Sequence, residues 1–230
     1  PKKVIFYDAK SSYKICDIDI SKFNDENIRY TTLKRSTLFN FLLNNIPEKK
    51  ITYNNELNEV IFKDKINLKF SNNSEESFDY IIVSDGVFSK NKSIMLNKDI
   101  RPKYFNSVAL RGSIKNFESN DISLYLGSNF HFVIYPVNQN KEFNFISIIR
   151  KKLSKKQINN QNYFKESGFI KTLIDEILLK TSIKLKDRVE CLKSFPIFVS
   201  DSFNKPNKKN VFLVGDALYA FPPSFAQGAS

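Results

Sequence analysis

Glycine is scarce in this sequence, and its scarcity excludes one common kind of phosphate-binding loop. The 230 residues contain six glycines, at positions 86, 112, 127, 168, 215 and 228. No two of them are close enough to form G-x-G-x-x-G, in which glycines let the backbone approach a dinucleotide pyrophosphate at the start of a helix. The sequence therefore lacks the usual loop for that pyrophosphate.

Cysteines are few and long apolar runs are lacking. The two cysteines, Cys16 and Cys191, lie far apart and without C-x-x-C spacing. This predicts no metal site and no disulfide framework, and it is typical of a reducing compartment. No apolar run approaches the roughly 18 residues that a membrane-spanning helix needs. The chain is 41% hydrophobic, so it is able to bury the core of one large or two small domains.

The net charge of +12 raises the question of a nucleic-acid or anionic-membrane partner. The lysines, however, are spread among Asn, Ile and Phe along the whole chain, as in KKLSKKQINNQNYFK from Lys151. They are not accompanied by a helix-turn-helix, zinc-finger or RNP-like motif. Compositional bias explains the charge more simply, and we predict no nucleic-acid partner. Peripheral attachment to an anionic membrane stays open.

The segment NVFLVGDALYAFPPSFAQGAS, from Asn210, carries the most informative pattern. Its four apolar residues 211–214 predict a buried parallel strand that ends in Gly215 and Asp216. Pro222 and Pro223 follow, and then Gln227 and Gly228, placed where a helix would begin. A carboxylate at the end of such a strand accepts hydrogen bonds from sugar-like hydroxyls, and the N–H groups at a helix start face an anion. This layout is typical of a cofactor cradle.

A second segment, FDYIIVSDGVFSKNK from Phe78, repeats the pattern of an apolar strand followed by an acidic residue and a glycine. Residues 80–83 predict the strand, and Asp85 and Gly86 come directly after it, with Ser89 and Lys92 following. Taken alone, an Asp-Gly pair is most often a turn. Its agreement with the C-terminal segment favours a ligand site.

A third segment, TTLKRSTLFNFLLNNIP at residues 31–47, predicts a helix over residues 36–46. Leu38, Phe41, Leu42 and Ile46 recur at helical spacing, Ser36 is the predicted N-cap and Pro47 ends the helix. Arg35 stands just before the first turn. An arginine at this position is either a solvated surface charge or a phosphate ligand.

These segments resemble the FAD-dependent aromatic monooxygenases of the p-hydroxybenzoate hydroxylase type, which include the ubiquinone-pathway hydroxylases. The family pattern G-D-A-A-H, Pro-Pro, G-Q-G-x-N is matched at Gly215, Asp216, Ala217, Pro222, Pro223, Gln227 and Gly228, and Leu218, Tyr219, Ala226 and Ser230 depart from it. The pattern A-D-G-x-x-S-x-x-R is matched at Asp85, Gly86 and Ser89. Lys92 replaces its arginine and loses the planar fork that pairs with phosphate, which weakens a nicotinamide role there.

The resemblance implies a role for each matched residue. Asp216 would hold the ribityl chain of FAD, the stretch from Pro223 to Gly228 would pack against the isoalloxazine ring, and Arg35 would reach the pyrophosphate. Asp85 and Gly86 would lie beside both the flavin and a nicotinamide cofactor. The predicted cofactor-binding residues are Arg35, Asp85, Gly86, Gly215, Asp216, Pro223, Gln227 and Gly228. The cofactors are FAD and NAD(P)H, and the pattern assigns neither a catalytic residue nor a metal.

Residues 101–150 change to the alternating pattern of antiparallel strands. Arg111, Gly112, Gly127, His131, Tyr135 and Pro136 match the family's substrate-covering sheet in order. His131, the one histidine, is either a catalytic base or a packed strand residue. In residues 151–190, apolar residues at helical spacing predict a core helix: Phe169, Leu173, Ile174, Ile177 and Leu178.

The predicted fold is of mixed α/β (α+β) class, with a doubly wound Rossmann-like FAD-binding sheet interleaved with an antiparallel substrate-covering sheet. Residues 1–100 would form part of the FAD domain, without its dinucleotide fingerprint. Residues 101–200 would form the substrate-binding sheet, and residues 201–230 would return to the FAD domain.

The predicted function is hydroxylation of an aromatic or quinone-precursor substrate with NAD(P)H and O₂, in the cytoplasm or at the inner face of the membrane. We expect the chain to be an internal fragment that binds FAD poorly and is inactive alone. One alternative keeps the flavin fold but makes it a reductase, epoxidase or halogenase. Another is a basic binding module without a cofactor.

Overall fold

A computed structural model describes residues 1–24, 30–138, 141–185, 188–204 and 206–225. The strands are β1 Lys3–Asp8, β2 Lys14–Asp19, β3 Leu57–Phe62, β4 Ile66–Phe70, β5 Glu75–Phe78, β6 Ile81–Val83, β7 Lys103–Ile114, β8 Ile122–Leu126, β9 Phe130–Val137, β10 Glu142–Arg150, β11 Val189–Val199 and β12 Val211–Leu213. The α-helices are α1 Arg35–Asn44, α2 Lys90–Leu96, α3 Lys155–Asn159 and α4 Ser167–Leu178. Short 3-10 turns include Gly215–Ala217 and Pro223–Phe225.

The chain divides into two compact units, each assembled from two separate stretches of sequence. The first unit contains Pro1–Asn45 and Asn106–Pro196, and the second contains Ile46–Phe105 and Ile197–Ser230. The three-part domain division at residues 100 and 200 stays a prediction.

The first unit is built on a seven-stranded sheet in the order β11-β7-β10-β9-β8-β1-β2. The pairings of β7 with β10, β10 with β9, β9 with β8 and β1 with β2 are antiparallel, and that of β1 with β8 is parallel. Buried residues alternate with half-buried ones along most of β9 and β10, so one face of these strands is buried. On that face Ile134 lies opposite Phe145, and both side chains are inaccessible to solvent.

Helix α4 covers the buried face of this sheet. Phe169, Leu173 and Ile177 recur every four residues, face the core and are buried, and Ile174 and Leu178 pack half-buried beside them. This spacing places all five on one stripe of the helix. The core helix predicted from the sequence is therefore confirmed.

The second unit combines an antiparallel sheet, in the order β3-β4-β5, with a parallel pair of β6 and β12. The shared core includes Ile66, Leu68, Val83, Met95, Val211, Leu213 and Ala217. On the other face of the parallel pair, Ile82 is 67% exposed and Phe212 is 48% exposed. Parallel strands usually carry apolar residues on both faces because both faces are covered.

Most of the predicted elements are observed, and two details were wrong. The apolar residues at 51–53, 60–62 and 66–70 predict short strands in this part of the sequence. Strand β4 has the bounds predicted for the last of them, whereas the residues from Ile51 to Tyr53 form no strand and lead into Asn54, whose φ is 56°. Ser36 is not the N-cap, because Lys34 already has extended backbone and the helix begins at Arg35 without a side-chain cap.

The apolar side of α1 has no cover among the described residues. The helix contains no buried residue, and Leu38, Phe41 and Leu42 are exposed. Helical spacing predicted the helix correctly, but it gives no information on which partner, if any, covers the apolar side.

The mixed α/β class predicted from the sequence is confirmed by these sheets and helices. Within the described ranges, the structure contains no helix with both the length and the apolar character needed to cross a membrane.

The core packing of α4 is tested by two leucine substitutions. Leu173 is 0% exposed and Leu179, directly after the helix, is 87% exposed. We expect Leu173→Ala to lower the free energy of unfolding by about 2–5 kcal/mol, because it removes buried methyl groups and leaves a cavity. Leu179→Ala should change it by less than about 0.5 kcal/mol. Urea titrations of the two variants and the unsubstituted chain measure both values, and similar losses would contradict the packing described.

Candidate functional site

The parallel pairing of β6 and β12 brings the two acidic-glycine segments of the second unit together. Leu213 lies opposite Val83, and the N–H of Val214 donates to the carbonyl of Val83 at 3.0 Å. Both strands run in the same direction, so Asp85 and Asp216 follow from the same edge. Ligands of parallel sheets bind outside this carboxyl edge.

Gly86 and Gly215 bend the backbone at this edge. Their φ angles are +84° and +56°, in the left-handed region that side chains other than glycine rarely adopt. A Cβ built on either residue would meet no atom within 4 Å. Glycine is therefore required here by conformation rather than by crowding, and the backbone of both turns is open to a ligand.

The two carboxylates at the edge have different surroundings. Asp85 is exposed, and its Oδ2 accepts a hydrogen bond of 3.3 Å from the N–H of Asn91, near the start of α2. Asp216 is also exposed, and among the residues the structure describes its carboxylate has no hydrogen-bond partner. Its oxygens are thus able to accept hydrogen bonds from hydroxyl groups of a ligand.

Asp216 belongs to a turn that we call the Gly-Asp turn, residues 215–220. The N–H groups of Leu218 and Tyr219 both donate to the carbonyl of Gly215 at 3.0 Å. At the end of the turn, Ala220 and Ser200 exchange two hydrogen bonds, of 2.9 and 3.0 Å. The turn therefore has a defined shape, although the side chain of Asp216 points to solvent.

Lys92 supplies a further hydrogen bond to this turn. The residue is only 4% exposed, and its ammonium donates to the carbonyl of Leu218 at 2.9 Å. Burial lowers the pKa of Lys92 below its usual value. The sequence pattern placed Lys92 where the family has a nicotinamide-side arginine, but did not indicate its bond to Leu218. No local signal connects two residues so far apart in sequence.

The first unit contains a cavity of about 380 Å³ on the face of the large sheet opposite α4. We call it the Arg111 cavity; it is lined by Leu33, Arg35, Leu38, Arg111, Gly112, Tyr135, Asn144, Phe145 and Ile146. The guanidinium of Arg111 lies over the ring of Phe195, 5.8 Å from its centre, and the amide of Asn144 donates to the Tyr135 hydroxyl at 3.2 Å. The cavity thus combines cationic groups with neutral hydrogen-bonding groups.

Arg35 reaches this cavity because the start of α1 is attached to the sheet. The hydroxyl of Thr32 donates to the carbonyl of Pro136, and the ammonium of Lys34 pairs with Glu142 at 2.5 Å. Arg35 is the next residue and the first of the helix. It therefore lies in the first unit with Arg111, whereas Asp85, Gly86, Gly215 and Asp216 lie together in the second unit.

His131 lies on the same sheet face as the Arg111 cavity, one row of cross-strand neighbours away. Arg111 faces Ile146 and then Val133, and in the next row His131 faces Ile148. The imidazole is half-buried and has no hydrogen-bond partner in the described part of the chain. Burial lowers its pKa below the 6.5 of a free imidazole, so His131 is mainly neutral at neutral pH.

Of the remaining predicted cofactor-binding residues, Pro223 lies in the described part of the chain. Pro223 is exposed at the start of its 3-10 turn. Gln227, Gly228 and the departing Ala226 lie outside the described residues, so their flavin roles stay predictions. The structure shows no cluster of metal-ligating side chains in its described ranges.

No protein-family model matches the chain, and no curated protein is similar to it. Solved structures, in contrast, match over nearly its whole length. HpxO of Klebsiella pneumoniae, in complex with FAD and uric acid, gives a TM-score of 0.75 at 15% identity over 99% of this chain and 59% of its own. A salicylate hydroxylase substrate complex gives 0.74 at 16% identity, over 98% and 59%.

A third match is 2,6-dihydroxypyridine-3-hydroxylase from Arthrobacter nicotinovorans, with a TM-score of 0.57 at 13% identity over 99% of this chain and 63% of its own. At such identities the likeness establishes the fold and nothing finer. The predicted fold, that of the FAD-binding aromatic hydroxylases, is confirmed. The chain spans about 60% of the length of these proteins.

The environment of His131 is tested by titration, because the chain has one histidine. We expect its NMR titration midpoint in the folded chain to lie below that of the chain unfolded in urea, since burial disfavours the charged ring. The unfolded state then binds the proton first, so stability falls as pH drops through the unfolded and then the folded pKa. Equal midpoints would show that the imidazole is solvated.

Proposed function

We propose that this chain is part of an FAD-dependent monooxygenase that hydroxylates a small aromatic substrate. The observation that carries the proposal is the meeting of Asp85-Gly86 and Gly215-Asp216 at the carboxyl edge of one parallel pair. The fold, shared with solved structures that include FAD complexes, supports the same assignment.

The second unit offers two features that suit FAD. The exposed carboxylate of Asp216 would accept hydrogen bonds from the ribityl hydroxyls, and the open backbone at Gly86 and Gly215 would let the cofactor approach closely. Bound FAD would take electrons from NAD(P)H and use them to activate O₂. The contacts of Arg35 with the pyrophosphate, and of Pro223, Gln227 and Gly228 with the flavin ring, are further proposals from the family resemblance.

The Arg111 cavity is our proposed substrate site. Its volume of about 380 Å³ suits a ring of one or two cycles. Arg111 would attract an anionic or oxygen-bearing substituent, and Tyr135 and Asn144 would orient it by hydrogen bonds. A neutral His131 on the same face is able to accept a proton from an acidic hydroxyl.

The reductase, epoxidase and halogenase alternatives would use the same cofactor edge. The cationic, hydrogen-bonding lining of the Arg111 cavity favours a ring that already carries oxygen, which is the substrate type of a hydroxylase. A binding module without a cofactor would leave the exposed carboxylate of Asp216 and the open backbone at Gly86 and Gly215 without a ligand. The quinone-precursor substrate, the use of NAD(P)H, the absence of a nucleic-acid partner and the cytoplasmic or membrane-attached location stay predictions.

The FAD proposal is tested by Asp216→Ala in the full-length protein that contains this chain. We expect FAD binding to weaken by about 1–3 kcal/mol, because the ribityl hydroxyls would lose a charged acceptor. Asp64→Ala is the matched control, since Asp64 is an exposed residue in the turn between β3 and β4 of the same unit. Fluorescence titration with FAD measures both affinities.

Two results would contradict the FAD proposal. One is a full-length protein that binds no FAD even when the cofactor is added in excess. The other is an equal loss of affinity for FAD in the Asp216 and Asp64 variants, which would show that FAD makes no specific contact with Asp216.

The substrate site is tested by oxygen consumption with NAD(P)H and a panel of salicylate, 4-hydroxybenzoate and phenol. We expect at least one acid of the panel to yield a hydroxylated product. Arg111→Met should raise its KM about tenfold or more through the loss of a charge-assisted hydrogen bond, with FAD affinity unchanged.

Arg150→Met is the control. Arg150 lies on the same face of the large sheet as Arg111 but outside the cavity lining, so this variant should keep the original KM. NAD(P)H oxidation without an oxygenated product or peroxide would favour the reductase alternative. Equal KM values in the two arginine variants would exclude the Arg111 cavity as the substrate site.

A further inference from the structure

Lys92 is a buried cation whose ammonium is bonded to a carbonyl group rather than paired with a carboxylate. It lies on the same side of α2 as Met95, three residues further on, and both are buried. Its ammonium donates to the Leu218 carbonyl at 2.9 Å. A buried charge without an anionic partner is costly, and the bond to the Leu218 carbonyl offsets part of this cost.

The carbonyl that Lys92 contacts belongs to the end of the Gly-Asp turn. Leu218 follows the 3-10 turn Gly215–Ala217 and packs half-buried against the core of the second unit. Carbonyls at the end of a helical turn have no partner within the turn and need an outside donor when they are removed from water. Lys92 is the donor that meets this need.

We propose that Lys92 is a positioning residue that fixes the Gly-Asp turn and thereby the direction of Asp216, instead of contacting a nicotinamide phosphate. The turn has two other sets of hydrogen bonds. The N–H groups of Leu218 and Tyr219 donate to the Gly215 carbonyl, and Ala220 and Ser200 exchange two hydrogen bonds. Leu218 takes part in the first set through its N–H, whereas its carbonyl accepts from Lys92. Without the Lys92 bond, the turn keeps its bonds to the Gly215 carbonyl and its contacts with the apolar core, but the Leu218 carbonyl loses its donor.

The cavity beside Lys92 argues against a phosphate ligand. This space of about 210 Å³ is also lined by Asp99 and Asp201, whose carboxylates would repel an anion. Of the cationic residues that line this space, Arg101 pairs with Asp99 at 3.0 Å and Lys98 is exposed. The ammonium of Lys92 is already bonded to the Leu218 carbonyl, so its observed partner is the turn and not an anion.

The first test follows amide hydrogen exchange and needs no cofactor. In Lys92→Met, which keeps the apolar stem and removes the donor, a peptide covering residues 214–221 should exchange about tenfold faster, because one charge-assisted hydrogen bond of the turn is lost. A peptide covering β4 should be unchanged. Lys98→Met, an exposed residue lining the same cavity, is the control and should leave both peptides unchanged.

Lys92→Arg keeps a hydrogen-bond donor at this position but changes the shape of the side chain. A guanidinium also donates to a carbonyl, so this variant should protect residues 214–221 nearly as well as lysine does. Unchanged exchange in Lys92→Met, or equally fast exchange in Lys92→Arg, would overturn the inference. If Lys92→Met accelerates exchange in β4 as well, the comparison is repeated with Lys92→Leu, which also lacks a donor, and a purely local effect at residues 214–221 is again required.

The second test rests on the proposed function and uses the full-length protein. We expect Lys92→Met to weaken FAD binding about tenfold, since Asp216 loses its fixed direction, and to leave the KM for NAD(P)H within twofold. Lys92→Arg should restore FAD affinity. A raised KM for NAD(P)H with unchanged FAD affinity would overturn the inference. A full-length protein that binds no FAD would instead refute the proposed function, and the exchange experiment would still decide the role of Lys92.

Discussion

The parallel pairing of β6 with β12 is the constraint on which the proposed cofactor edge depends. The two strands come from distant parts of the sequence, and their register places Val83 beside Leu213. A slip of one residue would turn these side chains out of the core and move both glycine turns. Asp85 and Asp216 therefore share an edge only because the apolar alternation of two short strands fixes one register.

Sequence patterns predicted the features that depend on neighbouring residues. They did not predict contacts between residues that are distant in sequence. Alternation indicated the strands of the large sheet, and helical spacing gave the core side of α4, because both reflect the geometry of neighbouring residues. The resemblance pointed to Asp216 and Gly215, which lie where a cofactor could meet them. It could not reveal the bond from Lys92 to Leu218 or the approach of Arg35 to Arg111, since neither is set by local sequence.

Each compact unit consists of two stretches, with part of the other unit between them in sequence. The core of the second unit joins Ile66 and Val83 to Val211 and Leu213, so it closes only after most of the chain has been made. Bringing together residues that are distant in sequence costs chain entropy before their contacts stabilise the fold. Folds that depend on such contacts therefore form slowly. The cofactor edge is thus expected to be among the last parts of the chain to assemble.

The outward face of the parallel pair has a consequence for sequence variation. Ile82 and Phe212 are adjacent, apolar and exposed to solvent, the ring centre of Tyr80 lies 6.4 Å from that of Phe212, and the core of the second unit packs against the opposite face. A polar residue at either position would leave the observed core of the unit unchanged. If related sequences nevertheless keep these positions apolar, selection must act through a contact beyond that core, and covariation with positions 82 and 212 would identify the surface that makes it.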